Sequence, residues 1–255
     1  MKFLKILVSL LLILGIVVLT VWAGIKANNK SCTAVSIRIN DAGESALLSK
    51  SDILLILEHN HIECEGKPMK EFDLSSIYRI LANENFIKSV DKVHFLGSKL
   101  HIEITLYDIL LEVETQNRQN FLLDVEGICL PYSPKIKNDV IVCRGCIPDG
   151  FRKKELITPD NYELYELFVV ASFIRNDPFY APLFQKLYIN EKQEIILQPS
   201  VGNLPVLFGS MQQAEQKLKT LKYMYEEVLP YVEENKYVRM DVRFTNRIVA
   251  TKNRT

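Results

Sequence analysis

Apolar residues fill the stretch from Ile6 to Gly24, where only Ser9, Gly15 and Thr20 soften the run and no charge occurs. A helix rises about 1.5 Å per residue, so this run covers roughly 29 Å, the hydrocarbon thickness of a bilayer. Beyond Lys26 polar and apolar residues mix and no second such run occurs. The pattern predicts a short cytoplasmic tail over residues 1–5, a retained transmembrane helix over 6–24 and a soluble remainder. A cleaved signal peptide carries a shorter apolar core, ~7–15 residues, and Trp22 suits the interfacial belt of a span. Lys2, Lys5 and the amino terminus before the span, against Lys26 and Lys30 after it, favour the short end inside and the bulk outside.

From Ala34 to Asn40 the chain alternates and reads as a strand. Ser51 is expected to cap a short helix from Asp52 to about Glu58, with Ile53, Leu54, Ile56 and Leu57 as its apolar face. Gly66-Lys67-Pro68 breaks the chain, and Asp73 opens a second helix with Leu74, Ile77, Ile80 and Leu81 at helical spacing. Two alternating runs, Val90–Leu96 and Lys99–Ile104, flank Gly97-Ser98, a favoured two-residue hairpin turn. That turn sets Phe95 against Leu100, Val93 against Ile102, Lys92 against Glu103 and His94 against His101. A slip of one residue would carry charge into the core, so the register is strongly specified. Residues 33–107 thus read as a βααββ module.

A second unit, residues 108–255, follows. Strands are expected over Phe121–Gly127, Val140–Val142, Phe184–Ile189, Glu194–Gln198 and Leu204–Phe208. Thr158-Pro159 is expected to open a helix with Leu164, Leu167, Phe168, Ala171 and Ile174 on one face. Ser210-Met211-Gln212-Gln213 reads as a capping box for a long helix that stops at Pro230. Tyr237–Phe244 and Arg247–Ala250 read as two closing strands. The fold class is therefore α+β: a membrane helix, a βααββ module, and a mixed α/β domain ending in antiparallel strands.

Composition narrows function. The 31 basic residues balance 31 acidic ones, so no basic excess points to nucleic acid. Cys143-Arg144-Gly145-Cys146 is a lone CxxC running into the turn-like Ile147-Pro148-Asp149-Gly150. A redox site would need it at a helix start, and a zinc site a second pair. It reads as a strand end carrying thiols or a local disulfide. The facing His94 and His101, and His59 and His61 at a helix end, are too few for a stable metal site without a third ligand. No GxSxG, HExxH, GxGxxG or phosphate-cradling glycine loop occurs, and no set of residues fills the roles of nucleophile, base and orienting acid. No catalytic residue, cofactor, metal or small-molecule substrate is expected.

The order of these features resembles the FtsQ (DivIB) family of bacterial cell-division proteins. The family's first module, a POTRA domain, is matched by Leu81-Ala82-Asn83-Glu84-Asn85-Phe86-Ile87-Lys88-Ser89-Val90 and the strand from Leu100 to Ile104. Its next segment is matched by Phe121-Leu122-Leu123-Asp124-Val125-Glu126-Gly127 through Pro131-Tyr132-Ser133. Pro199 with Gly202, then Phe208-Gly209, match the approach to its last long helix, and Tyr237 through Ala250 match its closing strands. Departures are Tyr107-Asp108-Ile109 where the family often has Glu-Arg-x-Pro, a short tail, and Lys252 where some members place an aromatic residue.

The resemblance implies a POTRA domain over 33–107 and an FtsQ-type β domain over 108–255. It implies a non-catalytic, single-pass scaffold of the inner membrane, its bulk in the periplasm at the division septum. The partners implied are FtsB- and FtsL-like coiled-coil proteins and other divisome components, whose assembly serves septal peptidoglycan synthesis. The FtsB contact carries over onto Asp241, Arg243, Phe244, Asn246, Ile248 and Val249. Strand faces alternate, so these six divide between core and interface. The POTRA domain's implied role is recruitment, with the strand edge that starts at Ala34 as its surface. The other readings are a membrane-anchored periplasmic enzyme acting on cell wall and a POTRA-type assembly chaperone, which usually carries several such modules.

Overall fold

The computed structural model describes residues 14–18, 20, 30–40, 47–117, 119–136, 140–147, 153–233, 236–244 and 247–253. Of the expected span over 6–24, residues 14–18 and 20 are described, and they are helical. Among the described residues no helix is long and apolar enough to cross a membrane. The remaining described residues form two compact units, one over 30–40 and 48–106, the other made of residue 47 and the chain from 107 onward.

The first unit runs β1 (Ala34–Asn40), α1 (Lys50–His59), α2 (Leu74–Ala82), β2 (Ile87–Leu96) and β3 (Lys99–Leu106). Its sheet has the order β1-β3-β2, with β1 parallel and β2 antiparallel to β3. The hairpin takes the register read from the sequence: Phe95 faces Leu100, Val93 faces Ile102, and Lys92 faces Glu103. The Lys92 and Glu103 side chains meet at 3.0 Å, and the rings of His94 and His101 stack at 5.7 Å. Two register shifts follow, between Val90 and Lys92 and between Ile87 and Ser89. Asp91 occupies the first, where its carboxylate accepts from Ser89, Thr105 and Asn40, one on each strand. These three hydroxyl and amide donors, Thr105 first, hold the Asp91 carboxyl below its ordinary value.

Asp73 caps α2 as expected, accepting from the backbone of Ser75 and Ser76. The cap of α1 differs from the expectation. It is Ser49, not Ser51, and Ser49 and Asp52 form a reciprocal capping box that starts the helix at Lys50.

The second unit contains β4 (Ile109–Glu114), β5 (Phe121–Asp124), β6 (Cys129–Pro131), β7 (Ile141–Gly145), α3 (Tyr162–Asn176), β8 (Lys186–Ile189), β9 (Ile195–Gln198), β10 (Val206–Gly209), α4 (Ala214–Tyr223), β11 (Tyr237–Asp241) and β12 (Val249–Lys252). All nine strands join one sheet of order β12-β11-β10-β9-β8-β7-β4-β5-β6. The parallel neighbours β7 and β8 are bridged by α3, and β10 and β11 by α4. Parallel pairs need long crossovers, and a helix is the usual one. Leu167, Val170, Ala171 and Ile174 of α3 and Leu218 and Leu221 of α4 share one core with Val113, Leu187, Leu197 and Phe208 of the sheet.

Three expectations are corrected here, and one strand stands where none is expected. β4 was not anticipated as a strand, although its buried run Ile109-Leu110-Leu111 sits between β5 and β7 well inside the sheet. Thr158-Pro159 does not open α3; Asn161 donates to the Thr158 carbonyl at 2.9 Å in a turn, and the helix starts at Tyr162. The Ser210–Gln213 capping box does not form. Gln213 lies in the left-handed region, the Met211 amide donates to Glu166, and Lys217 Nζ donates to the carbonyls of Phe208 and Ser210. Tertiary partners thus fix the turn, and α4 begins at Ala214. The first closing strand ends at Asp241, not Phe244, because Arg243 turns back on the strand.

Candidate partner-binding edge

The two ends of the nine-stranded sheet differ. At the β6 end, residues 154–157 run antiparallel beside the last strand. Cys129 N–H donates to Glu155 at 2.8 Å, Lys154 N–H to Cys129 at 2.7 Å and Ile157 N–H to Gly127 at 2.9 Å. Ile157 is buried in the core beneath this strap. Gly127 has φ +83°, and a Cβ there would lie 2.9 Å from Ile157, so the close approach requires glycine.

At the other end β12 pairs with β11, and no strand among the described residues pairs with its outer side. An edge strand turns alternate N–H and C=O groups away from its sheet, ready for another chain. Val249 is 47% exposed, and Thr251 and Lys252 are exposed as well.

A charged clamp sets the corner that delivers β12. Arg243 donates from Nε and Nη2 to the Asp241 carboxylate, with a shortest distance of 2.7 Å, and from Nη1 to Glu194 at 2.6 Å. Its stem packs on Gly209, where a Cβ would lie 2.8 Å from Arg243 Cγ. Asp241 is only 8% exposed. Burial raises its carboxyl, but the hydrogen bonds and charge of Arg243 outweigh that and hold it below the ordinary value. Glu194 is also held low, first by Asn190 and then by Arg243. Nearby, burial holds the Lys217 ammonium below its ordinary value despite the charge of Glu166.

The six residues expected to bind a partner are thereby sorted. Asp241 is buried and engaged with Arg243, so both serve the corner itself. Phe244 is 40% exposed, with the guanidinium of Arg247 over its ring at 4.6 Å and that of Arg243 at 5.8 Å. Ile248 packs against the core, and Val249 begins the open strand. Asn246 lies outside the described residues. Sequence reasoning missed Glu194, Gly209 and Arg247. Glu194 and Arg243 stand 49 positions apart, and no local pattern links them.

His94 and His101 form a solvent-side ring stack. Cys143 is buried in β7, its thiol pushed up by burial, while Cys146 is half-buried beyond the strand and accepts from Gln116 at 3.3 Å. All five cysteines are free thiols in this structure. Among the described residues no group of three or more His, Cys, Asp or Glu is placed to hold a metal ion. The corner offers backbone pairing groups, an exposed aromatic ring and guanidinium groups, which is equipment for recognition.

Comparison with known families places both units. The profile of the family described as FtsQ/DivIB, C-terminal related, matches residues 110–251, more than half of the chain, from within β4 to within β12. That of the POTRA-like domain matches residues 30–105. Among curated proteins no relative matches the sequence.

Proposed function

The chain belongs to the FtsQ/DivIB, C-terminal related family, and from that premise we propose that it is a bitopic cell-division scaffold. Residues 6–24 hold it in the inner membrane, residues 1–5 stay in the cytoplasm, and the POTRA (33–107) and β (108–255) domains stand in the periplasm at the septum. It assembles divisome components by binding and performs no catalysis. Its partners are small coiled-coil proteins of the FtsB and FtsL type, captured at the β12 edge.

One observation carries this reading: among the described residues the nine-stranded sheet is strapped at its β6 end and open at β12. An open edge accepts a partner strand through backbone hydrogen bonds, and neighbouring side chains supply specificity. Phe244 is the aromatic anchor, Val249 an apolar contact on the strand, and the Asp241–Arg243 clamp holds the corner. Ile248 supports the same surface from the core side, and Asn246 is a further partner contact in this reading.

The test uses the full chain in lipid nanodiscs, titrated with the periplasmic segments of FtsB- and FtsL-like proteins from the same organism. Saturable binding that Phe244→Asp abolishes, with the circular dichroism and melting of the parent retained, is the expected result. A folded Phe244→Asp variant that binds as the parent does would remove the anchor from this edge. Absence of binding by the folded parent would overturn the partner assignment.

A further inference from the structure

The five cysteines are not equally placed to pair. In the second unit Cys143 lies in β7 and Cys146 just beyond it. Extended backbone advances about 3.3 Å per residue, which sets their Cα atoms roughly 10 Å apart. A disulfide needs Cα atoms within about 7 Å, so the local CxxC pair does not close. Cys129 on β6 is separated from β7 by β5 and β4, and three strand spacings come to roughly 14 Å. No two of these three thiols are within bridging reach. The first unit holds the other two, Cys32 and Cys64, and its backbone brings their segments together. Residues 30–32 run antiparallel beside 66–69. Cys32 N–H donates to the Lys67 carbonyl at 2.9 Å, Gly66 N–H to the Cys32 carbonyl at 2.8 Å and Met69 N–H to the Lys30 carbonyl at 3.0 Å. Ser31 and Pro68 form the bridge between the two rows. Gly66 has a positive φ of 81°, which turns the chain leading from Cys64 into this pairing. Both side chains are buried, Cys32 to 1% exposure and Cys64 to 9%. Burial pushes the Cys64 thiol up to about 11, and Cys32 is the next cause, ahead of the carboxylates of Glu58 and Glu65. A thiol that acts on Cys64 more strongly than the flanking carboxylates stands close to it.

We propose that Cys32 and Cys64 close a disulfide that clasps the chain entering β1 to the loop after α1. The inference rests on the periplasmic placement proposed above, because such bonds persist in an oxidising compartment. The step is a thiol–disulfide exchange with an oxidised dithiol carrier. Cys64 lines the groove beside α1, whereas Cys32 is sealed, so the Cys64 sulfur meets the carrier first. Deprotonated, it attacks one sulfur of the carrier's disulfide, forms a mixed disulfide and releases the other carrier sulfur as a thiolate. The deprotonated Cys32 sulfur then attacks the Cys64 sulfur of the mixed disulfide and releases the second carrier thiolate. The two protons end on the carrier's sulfurs, and two electrons have passed from the chain to the carrier. The bond closes the stretch 32–64, which contains β1 and α1. Tension arriving from the proposed membrane anchor would then enter the folded unit through a covalent link. Without the link, the backbone hydrogen bonds over 30–32 and those of β1 with β3 alone resist peeling.

The test equilibrates the full, folded chain in nanodiscs with oxidised glutathione, quenches it in acid and maps the unreduced digest by mass spectrometry. The expected result is a peptide pair joined through Cys32 and Cys64, and a melting temperature several degrees above that of the reduced chain. Cys32→Ser should lose both the joined pair and the rise in melting temperature. Absence of the joined pair from a chain shown to be folded would overturn the inference, as would Cys64 joined to any other cysteine. Equal melting of the bridged and reduced chains would overturn the clasp. A second arm quenches cells directly in acid and maps the same peptides. The joined pair recovered from cells supports both the bond and the periplasmic placement. A pair that closes in glutathione but is reduced in cells upholds the pairing and removes the placement.

Discussion

The strapped and open ends of the nine-stranded sheet are built by opposite means. At β6 the chain returns over 154–157 and satisfies the edge with backbone hydrogen bonds, while Ile157 enters the core. At β12 the chain invests in the corner instead, through Arg243, Asp241 and Glu194, and leaves the strand itself exposed. An open edge invites pairing with another chain, and among the described residues no strand covers the outer side of β12. The difference teaches where side-chain contacts are concentrated: at the residues that aim the strand, not along the strand.

Substitutions can break this contrast in graded steps. The largest effect is expected at the strapped end. Ile157→Ala removes a buried side chain beneath the strap and should cost about 3 kcal/mol in urea denaturation. A cost near zero would mean that the strap is not part of the folded core.

Arg243→Ala comes next, because it leaves Asp241 buried without its cation. The guanidinium is itself partly exposed, so screening keeps the expected loss to about 1–2 kcal/mol. Its pH dependence sharpens the test. The Asp241 carboxyl is held low in the folded chain, so its contribution is present above the ordinary carboxylate pKa and is lost as pH falls through the folded value. The stability gap between parent and Arg243→Ala should therefore be widest near neutrality and narrow in acid. A gap constant down to low pH would show that packing on Gly209, not charge, holds the corner.

At the open end Val249→Ala should change stability by no more than about 0.5 kcal/mol, as exposed substitutions usually do. It should nonetheless weaken partner capture in the nanodisc titration. A large stability loss would show that Val249 is a core residue. The smallest perturbation is chemical labelling: in the reduced, folded chain a maleimide should modify Cys146 first, since the other four cysteines are buried. Prior reaction of Cys143 would mean that the seam between β7 and β8 opens readily.

What the sequence determined is what neighbours along the chain decide. The β2–β3 hairpin was legible from its turn out to the Lys92–Glu103 pair, because Gly97-Ser98 set the turn and apolar and charged pairs agreed on one register; the bulge at Asp91 beyond it was not. The Asp73 cap and the apolar faces of α2 and α3 were legible for the same reason, and the order of motifs carried the family. Near misses show where local rules gave way. Ser49 and Ser51 both precede an acidic helix start, and only the reciprocal fit with Asp52 chose between them. The expected start of α4 failed because Glu166 and Lys217 satisfy the turn at 210–213 from elsewhere in the fold. Only the tertiary structure decided that β4 sits inside the sheet, that residues 154–157 close one end, and that Arg243 reaches Glu194 to aim the strand left open. Each of these joins positions far apart in the chain, and backbone pairing between strands carries almost no side-chain signature from which to read its partner.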